Sequence, residues 1–434
     1  MDDALPAGFA PLPDAPEAGG AVVVALSGGL DSTALLHLLS TQPALRARGL
    51  RALHVHHGLH ADADRWTGHC EALCAALGVP LRVARVEVVR DAGGGLEAAA
   101  REARRRAFAD ALGAGEVLAL AHHRDDQAET FLLRALRASG VDGLAAMRPW
   151  QRFAAGWLWR PLLAVPRGEL RAWADKHGLQ WIEDPSNAEL AHDRNYLRHR
   201  VLPLLRERWP NVDAAFARSA ALAAADGALL VEGDEAALAA SRGGDPATLS
   251  VPALRALPQA RRARVLRRWI EALGLPPLPA RGVALVESDL LHAAPDGSAA
   301  FAWEDAIVRR WRDLLHAGHR RLPLPAGWRA RWDGQVPFAL PGGGELRLEG
   351  ANGFDAPLTV AARVGGERIV LRGRAHSHAL KHVLQDLGVP PWRRARLPLL
   401  LDAQGRVLAA GDVAFSAGFG AWLRARGARL AWAP

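Results

Sequence analysis

Apolar residues in the first third of the chain come in short runs, AVVVAL (21–26), RALHVH (51–56), LRVARVEV (81–88) and EVLALAH (116–122). Each is followed by a turn and a longer amphipathic stretch. Strands alternating with helices predict an α/β domain on a parallel, Rossmann-like sheet covered on both faces. Ligands of such sheets gather at the carboxyl ends of the strands, where the polar motifs of this chain fall. From about Val212 to Ala330 the texture becomes Ala/Leu/Arg-rich with helical spacing, as in LPQARRARVLRRWIEAL (257–273), and predicts a helical middle domain. Beyond Pro341-Gly342-Gly343-Gly344, short alternating runs such as ELRLEG and ERIVLRG precede a basic helix candidate around Ala379 to Leu387. A small mixed α+β carboxyl-terminal domain is expected there. The predicted division is a flexible tail (1–20), the α/β domain (21–211), the helical domain (212–330) and the carboxyl-terminal domain (331–434).

A chain of 434 residues exceeds what one core usually supports, which agrees with several domains. The formal charge of +8 is carried almost wholly by arginine, since Lys176 and Lys381 are the two lysines. Guanidinium forks suit phosphate, so an anionic partner is expected, although a general preference for Arg and Ala would give the same balance. Cys70 and Cys74 cannot form a disulfide framework and are too few for four cluster thiolates; spaced four apart, they read as small apolar residues on one helix face. The acidic, Pro/Gly/Ala-rich amino terminus lacks the basic-then-apolar order of a signal peptide. No uninterrupted apolar run approaches the roughly 20 residues of a membrane helix. A cytoplasmic protein is expected.

The sharpest motif is Ser27-Gly28-Gly29-Leu30-Asp31-Ser32-Thr33, where the first strand gives way to a helix. Glycines let backbone approach a phosphate, and the amides of a helix start attract its charge. An ordinary strand-to-helix turn capped by Asp31 or Ser32 is the plainer alternative. A second motif, His122-His123-Arg124-Asp125-Asp126-Gln127-Ala128-Glu129-Thr130, ends the fourth strand. Asp126 and Glu129 are three apart and Asp125 and Glu129 four apart, so a carboxylate cluster can form on one helical face and hold an amine or a magnesium ion. Acids favoured by a helix dipole would look similar.

The first motif resembles the SGGxDS loop of the PP-loop ATP pyrophosphatases. The second resembles the HHxDDQAET string of the tRNA(Ile)-lysidine synthetases. Further segments match that family in order: His54-Val55-His56-His57-Gly58-Leu59-His60, with His56 for the usual Asn and His60 for the usual Arg; Leu96-Glu97-Ala98 through Arg104; Arg160-Pro161-Leu162-Leu163; Glu183-Asp184-Pro185-Ser186-Asn187; and Arg194-Asn195-Tyr196-Leu197-Arg198. GGERIVLRG (365–373), LKHVLQDLGVPPWRRARLPLLLD (380–402) and VLAAGD match its longer members.

The resemblance implies ATP held by Ser27, Gly28, Gly29, Leu30, Asp31 and Ser32, with Mg2+ positioned by Asp31. It implies free L-lysine held by Asp126 and Glu129, and Arg101 and Arg104 facing the catalytic centre with His123. It also implies tRNA contacts from Arg194, Arg198, Arg372, Lys381, Arg393 and Arg394, with Trp392 available for stacking. The α/β domain would be the PP-loop catalytic domain and the last domain would bind tRNA. The implied substrate is tRNA(Ile) with a CAU anticodon, whose first anticodon cytidine is adenylated and then attacked by lysine to give lysidine. Glu129 or His123 is a candidate acceptor for the proton that lysine must lose. A homodimer is left open. Two other classes share parts of the pattern: a small-molecule PP-loop ligase, which has no use for a basic last domain, and a tRNA-binding protein without catalysis, which has no use for intact motifs.

Overall fold

In the computed structural model, residues 5–13, 18–88, 95–294, 299–374 and 376–433 are described. They form two compact units, Met1–Val231 and Glu232–Pro434. In the first, β1 (Val22–Ala25), β2 (Arg51–His56), β3 (Leu81–Arg85), β4 (Val117–Ala119), β5 (Trp150–Phe153) and β6 (Gly156–Trp159) make one sheet in the order β3-β2-β1-β4-β6-β5. All pairings are parallel except that of β5 with β6. Val22, Val23, Val24 and all of β4 are buried, because helices cover both faces of the central strands. The four apolar runs are thus four parallel strands, and the two chemical motifs leave the carboxyl ends of the adjacent strands β1 and β4.

Helix Leu30–Ser40 follows β1 and is buried along most of its length, with Ala34, Leu35, Leu36, Leu38 and Leu39 inside the core. Helix Ala63–Leu77 follows β2, buries Cys70 and Cys74 on one face and ends at Gly78 with φ +61°. Burial pushes the Cys70 thiol up to about 12 and the Cys74 thiol up to about 11, so both are inert apolar filling. The expected flexible tail is not loose in its described part: Ala10 N–H donates to the Pro161 carbonyl, Phe9 packs edge-on against Trp159, and Ala18 is buried. Met1–Ala4 and Asp14–Glu17 lie outside the described residues, as does the side chain of Glu97.

Helix Val212–Ser241 is, among the described residues, the one long and apolar enough by length and composition to cross a membrane. Asp213, Arg218, Asp226, Glu232, Asp234 and Glu235 interrupt it. In the second unit Asp234 is wholly buried and accepts from Arg261, Arg264 and Arg268 at 3.0, 2.7 and 2.9 Å. Part of the basic excess is therefore structural. The expected helices are joined by a four-stranded antiparallel sheet of Thr248–Ser250, Leu314–His319, Ala306–Trp311 and Ala300–Trp303 that the helical reading does not foresee. Its strands are short, and AFAW and LLHAGH carry no clear apolar-polar alternation.

The carboxyl-terminal region has its own core, from Leu324 to Trp432, beneath a five-stranded sheet and a three-stranded sheet. The basic helix expected near 379–387 is Leu380–Asp386, and Pro391–Arg396 is a second. Trp392 is not presented for stacking on a base: it is half-buried, edge-on to His316 at 5.1 Å and beneath the guanidinium of Arg309. It ties this region to the neighbouring sheet.

Candidate active site

The strand-one loop is built by hydroxyls and two glycines. Gly28 has φ +85°, and a Cβ there would lie 2.7 Å from Ile182 Cδ1 and 3.1 Å from Cys70 Sγ. Ser27 N–H donates to Ser32 Oγ at 3.2 Å, Ser32 Oγ donates to the Gly29 carbonyl at 3.1 Å, and Ile182 N–H donates to the Gly28 carbonyl at 2.9 Å. Gly29 stands at the N-cap and offers no side-chain cap, so the first-turn amides of helix Leu30–Ser40 face outward for an anion. Gly28→Ala combines a positive φ with a crowded Cβ. It is expected to raise the KM for ATP about tenfold or more with a loss of about 1–2 kcal/mol in stability, read by steady-state kinetics and thermal melting.

Asp31, in the first helical turn, is one-third exposed, yet its Oδ1 is buried and makes no hydrogen bond. Its Oδ2 lies 3.7 Å from Nε2 of His123, the residue that ends the β4 loop. His123 caps helix Arg124–Leu136: Asp126 N–H points at its Nδ1 at 3.4 Å, and its own N–H donates to Asp126 Oδ2 at 3.0 Å. The imidazole Nε2 is also 3.4 Å from Asp126 Oδ2. One buried histidine therefore joins the β1 loop to the β4 carboxylates.

The neighbouring histidines titrate in opposite senses. Burial pushes His122 down to about 3, so it stays neutral and accepts from Arg160 Nε at 3.3 Å. Burial also opposes charge on His123, but the Asp31 contact and the carboxylates of Asp126, Asp31 and Asp125 outweigh it and raise its pKa above the usual 6.5. For Asp126, burial is outweighed by His123, Arg194 and His122, and its pKa falls to about 2. A raised histidine stabilises the fold fully below its unfolded pKa and loses that contribution as pH rises through the folded value. The depressed Asp126 contributes above the ordinary carboxylate range and is lost as pH falls toward about 2. The expected result is that wild-type protein melts at lower temperature on the alkaline side of neutrality and that His123→Asn abolishes this slope, in melting curves taken against pH.

Asp126 and Glu129 do share a face, as their spacing predicts, and both are buried. Arg194 Nε donates to Glu129 Oε2 at 2.7 Å and its Nη2 to Asp126 Oδ1 at 2.9 Å. Arg198 Nε donates to Glu129 Oε1 at 2.6 Å and its Nη2 to Asp126 Oδ1 at 3.0 Å. The two arginines, four apart on Asp193–Tyr196 and the wider turn Leu197–Val201, form a fork matched to two carboxylates three apart. Arg194 and Arg198, expected to face tRNA, are turned here onto the Asp126 and Glu129 carboxylates. Asp125 leaves the cluster, accepting from Arg206 at 3.1 Å and from the Arg167 backbone N–H at 3.1 Å.

Other expected residues divide. Arg104 is exposed but near enough to His57 and His122 to depress both, so it faces the site; Arg101, one turn earlier, is exposed. His56 pairs with Asp64 at 3.2 Å, and His60 stacks on Trp66 at 4.6 Å between ring centres. Arg372 and Lys381 are exposed, whereas Arg393 lies over Trp432 and Arg394 donates to the Val389 carbonyl at 2.5 Å. Arg160 and Arg206 belong to the site's frame but were given no role from sequence alone. Their partners are 38 and 81 positions away, beyond any local spacing rule.

A parallel sheet whose first strand delivers SGGLDS into an uncapped helix start, beside a carboxylate cluster on the next strand, defines an ATP-using protein of the PP-loop class. A PP-loop domain family matches residues 11–205, a TilS substrate binding domain residues 249–316 and a TilS substrate C-terminal domain residues 358–432. The chain belongs to the tRNA(Ile)-lysidine synthase family, whose members are ATP-dependent ligases. It is 57% identical to the tRNA(Ile)-lysidine synthase of Xanthomonas axonopodis pv. citri over 95% of this chain and 94% of that one. It is 53% identical to that of Xylella fastidiosa over 97% of each, and 44% identical to that of Pseudomonas aeruginosa over 96% and 94%. Among solved structures, the U34-tRNA thiolase NcsA from Methanococcus maripaludis is similar at 17% identity and TM-score 0.39 over 46% of this chain and 71% of that one.

Proposed function

We propose that the enzyme joins free L-lysine to C2 of the first anticodon cytidine of tRNA(Ile) bearing CAU, through an adenylated base. The observation that carries this reading is the buried imidazole of His123 between Asp31, on the β1 loop, and Asp126, on the carboxylate cluster. Two substrates with separate anchors are held at one place, as a two-step ligation needs.

In the first step the cytidine O2 attacks the α-phosphorus of ATP and pyrophosphate leaves. Loop amides about Gly28 and Gly29 stabilise the growing negative charge of the leaving group. In the second, the side-chain amine of lysine attacks C2, AMP leaves with the O2 oxygen, and the amine gives up its proton. Asp126 and Glu129 attract the lysine ammonium by displacing the Arg194 and Arg198 forks. Glu129 and His123 are the side chains beside the amine able to accept that proton. The orphaned Oδ1 of Asp31 fits a Mg2+ ion, which takes one or two carboxylates and completes its shell with phosphate and water. Such an ion would neutralise phosphate charge when bound.

Pyrophosphate release from ATP should depend on tRNA, and labelled lysine should enter the tRNA one-for-one with AMP released. Release that ignores tRNA would replace this reading with a small-molecule ligase; no release would replace it with a binding protein. For the last domain, Arg372→Ala with Lys381→Ala should weaken tRNA binding and flatten its salt dependence by about two in log–log slope, leaving the KM for ATP unchanged. An unchanged slope would remove these two residues from the tRNA interface.

A further inference from the structure

We infer that Arg167 binds the β- and γ-phosphates of ATP, moving to them from the Asp31 carboxylate; this rests on the reading of the β1 loop as the ATP site. Arg167 opens helix Arg167–Lys176, and its backbone N–H is fixed to Asp125 Oδ1 at 3.1 Å. Its side chain is half-exposed, and its Nε lies 3.4 Å from Asp31 Oδ1 without making a hydrogen bond. An exposed pair of that kind contributes little to stability, so the guanidinium is tethered at its root and loosely held at its tip.

Four other arginines of the site are committed. Arg194 and Arg198 fork onto Asp126 and Glu129, Arg160 donates to the Arg148 carbonyl at 2.7 Å and to His122, and Arg206 spans Asp125 and Asp213. The loop itself contains no basic side chain, and of the two lysines Lys176 stands at the far end of the same helix as Arg167. Departing pyrophosphate carries several negative charges, which loop amides offset only in part. Among the described residues, Arg167 is the guanidinium that reaches the first turn of the loop helix while keeping its fork donors for another partner. Asp31 would hold a metal ion on that oxygen, and the ion's like charge would favour Arg167 on the phosphates instead.

The test compares full-length wild type with Arg167→Ala and Arg167→Lys, using ATP as substrate and pyrophosphate and AMP as inhibitors. Arg167→Ala should raise the KM for ATP and the inhibition constant for pyrophosphate by about ten- to a hundredfold, the value of a charged hydrogen bond, while AMP inhibits as before. Arg167→Lys should recover part of the loss. An unchanged KM for ATP would overturn the inference, and so would equal weakening of AMP and pyrophosphate, which would mark a structural role. If wild type releases no pyrophosphate, the functional reading fails by itself. Calorimetric binding of pyrophosphate to the three full-length proteins then still decides on Arg167, equal affinities counting against it.

Discussion

Asp126→Ala and Glu129→Ala are expected to cut lysidine formation by about a hundred- to a thousandfold while adenylated tRNA accumulates. In the proposed function these carboxylates hold the amine rather than the nucleotide, and loss of a charge-assisted contact made in the transition state costs about this much. Glu129 is the more telling position, because it is wholly buried and accepts three donor contacts from two arginines. Breaking a buried ion pair costs about 3–5 kcal/mol. Arg194 and Arg198 are about one-quarter exposed and can turn to water, so the discounted stability loss is about 1–2 kcal/mol. Quantifying AMP-linked tRNA, lysidine and the melting temperature in each variant separates the effects. Equal loss of adenylation and lysine transfer would move Asp126 and Glu129 to a nucleotide or metal role.

Asp31→Ala should abolish tRNA-dependent pyrophosphate release, by about a thousandfold or more, with circular dichroism unchanged. The fold is spared because the core side of the loop helix is carried by Leu35, Leu36, Leu38 and Leu39, all buried, and Asp31 Oδ1 makes no hydrogen bond to lose. Chemistry suffers twice in the proposed function: the acid assigned to the nucleotide is gone, and His123 loses the contact that most strongly favours its charged form. Asp31→Asn should be nearly as inactive, since an amide keeps the shape and loses the charge. Near wild-type release from Asp31→Ala would remove this residue from the nucleotide site.

Much of this was legible along the chain. Short apolar runs determined where β1, β2 and β4 lie, since a strand covered on both faces is apolar nearly throughout, and the alternating LRVAR marked the less buried β3. The loop SGGLDS determined a tight turn from strand to helix, with Gly28 at φ +85°. Spacing of three placed Asp126 and Glu129 on one helix face. Each of these follows from backbone geometry within a few residues. What only the tertiary structure decided is which charges face each other. Arg194 and Arg198 reach Glu129 across 65 and 69 positions, and in sequence a basic side chain destined for a carboxylate is indistinguishable from one destined for a phosphate. Trp392 stands among arginines in sequence and yet packs against Arg309 and His316. Strand order brings the β1 and β4 ends together and so sets His123 between Asp31 and Asp126; no local period encodes that order, because it is set by how the helices cover the sheet.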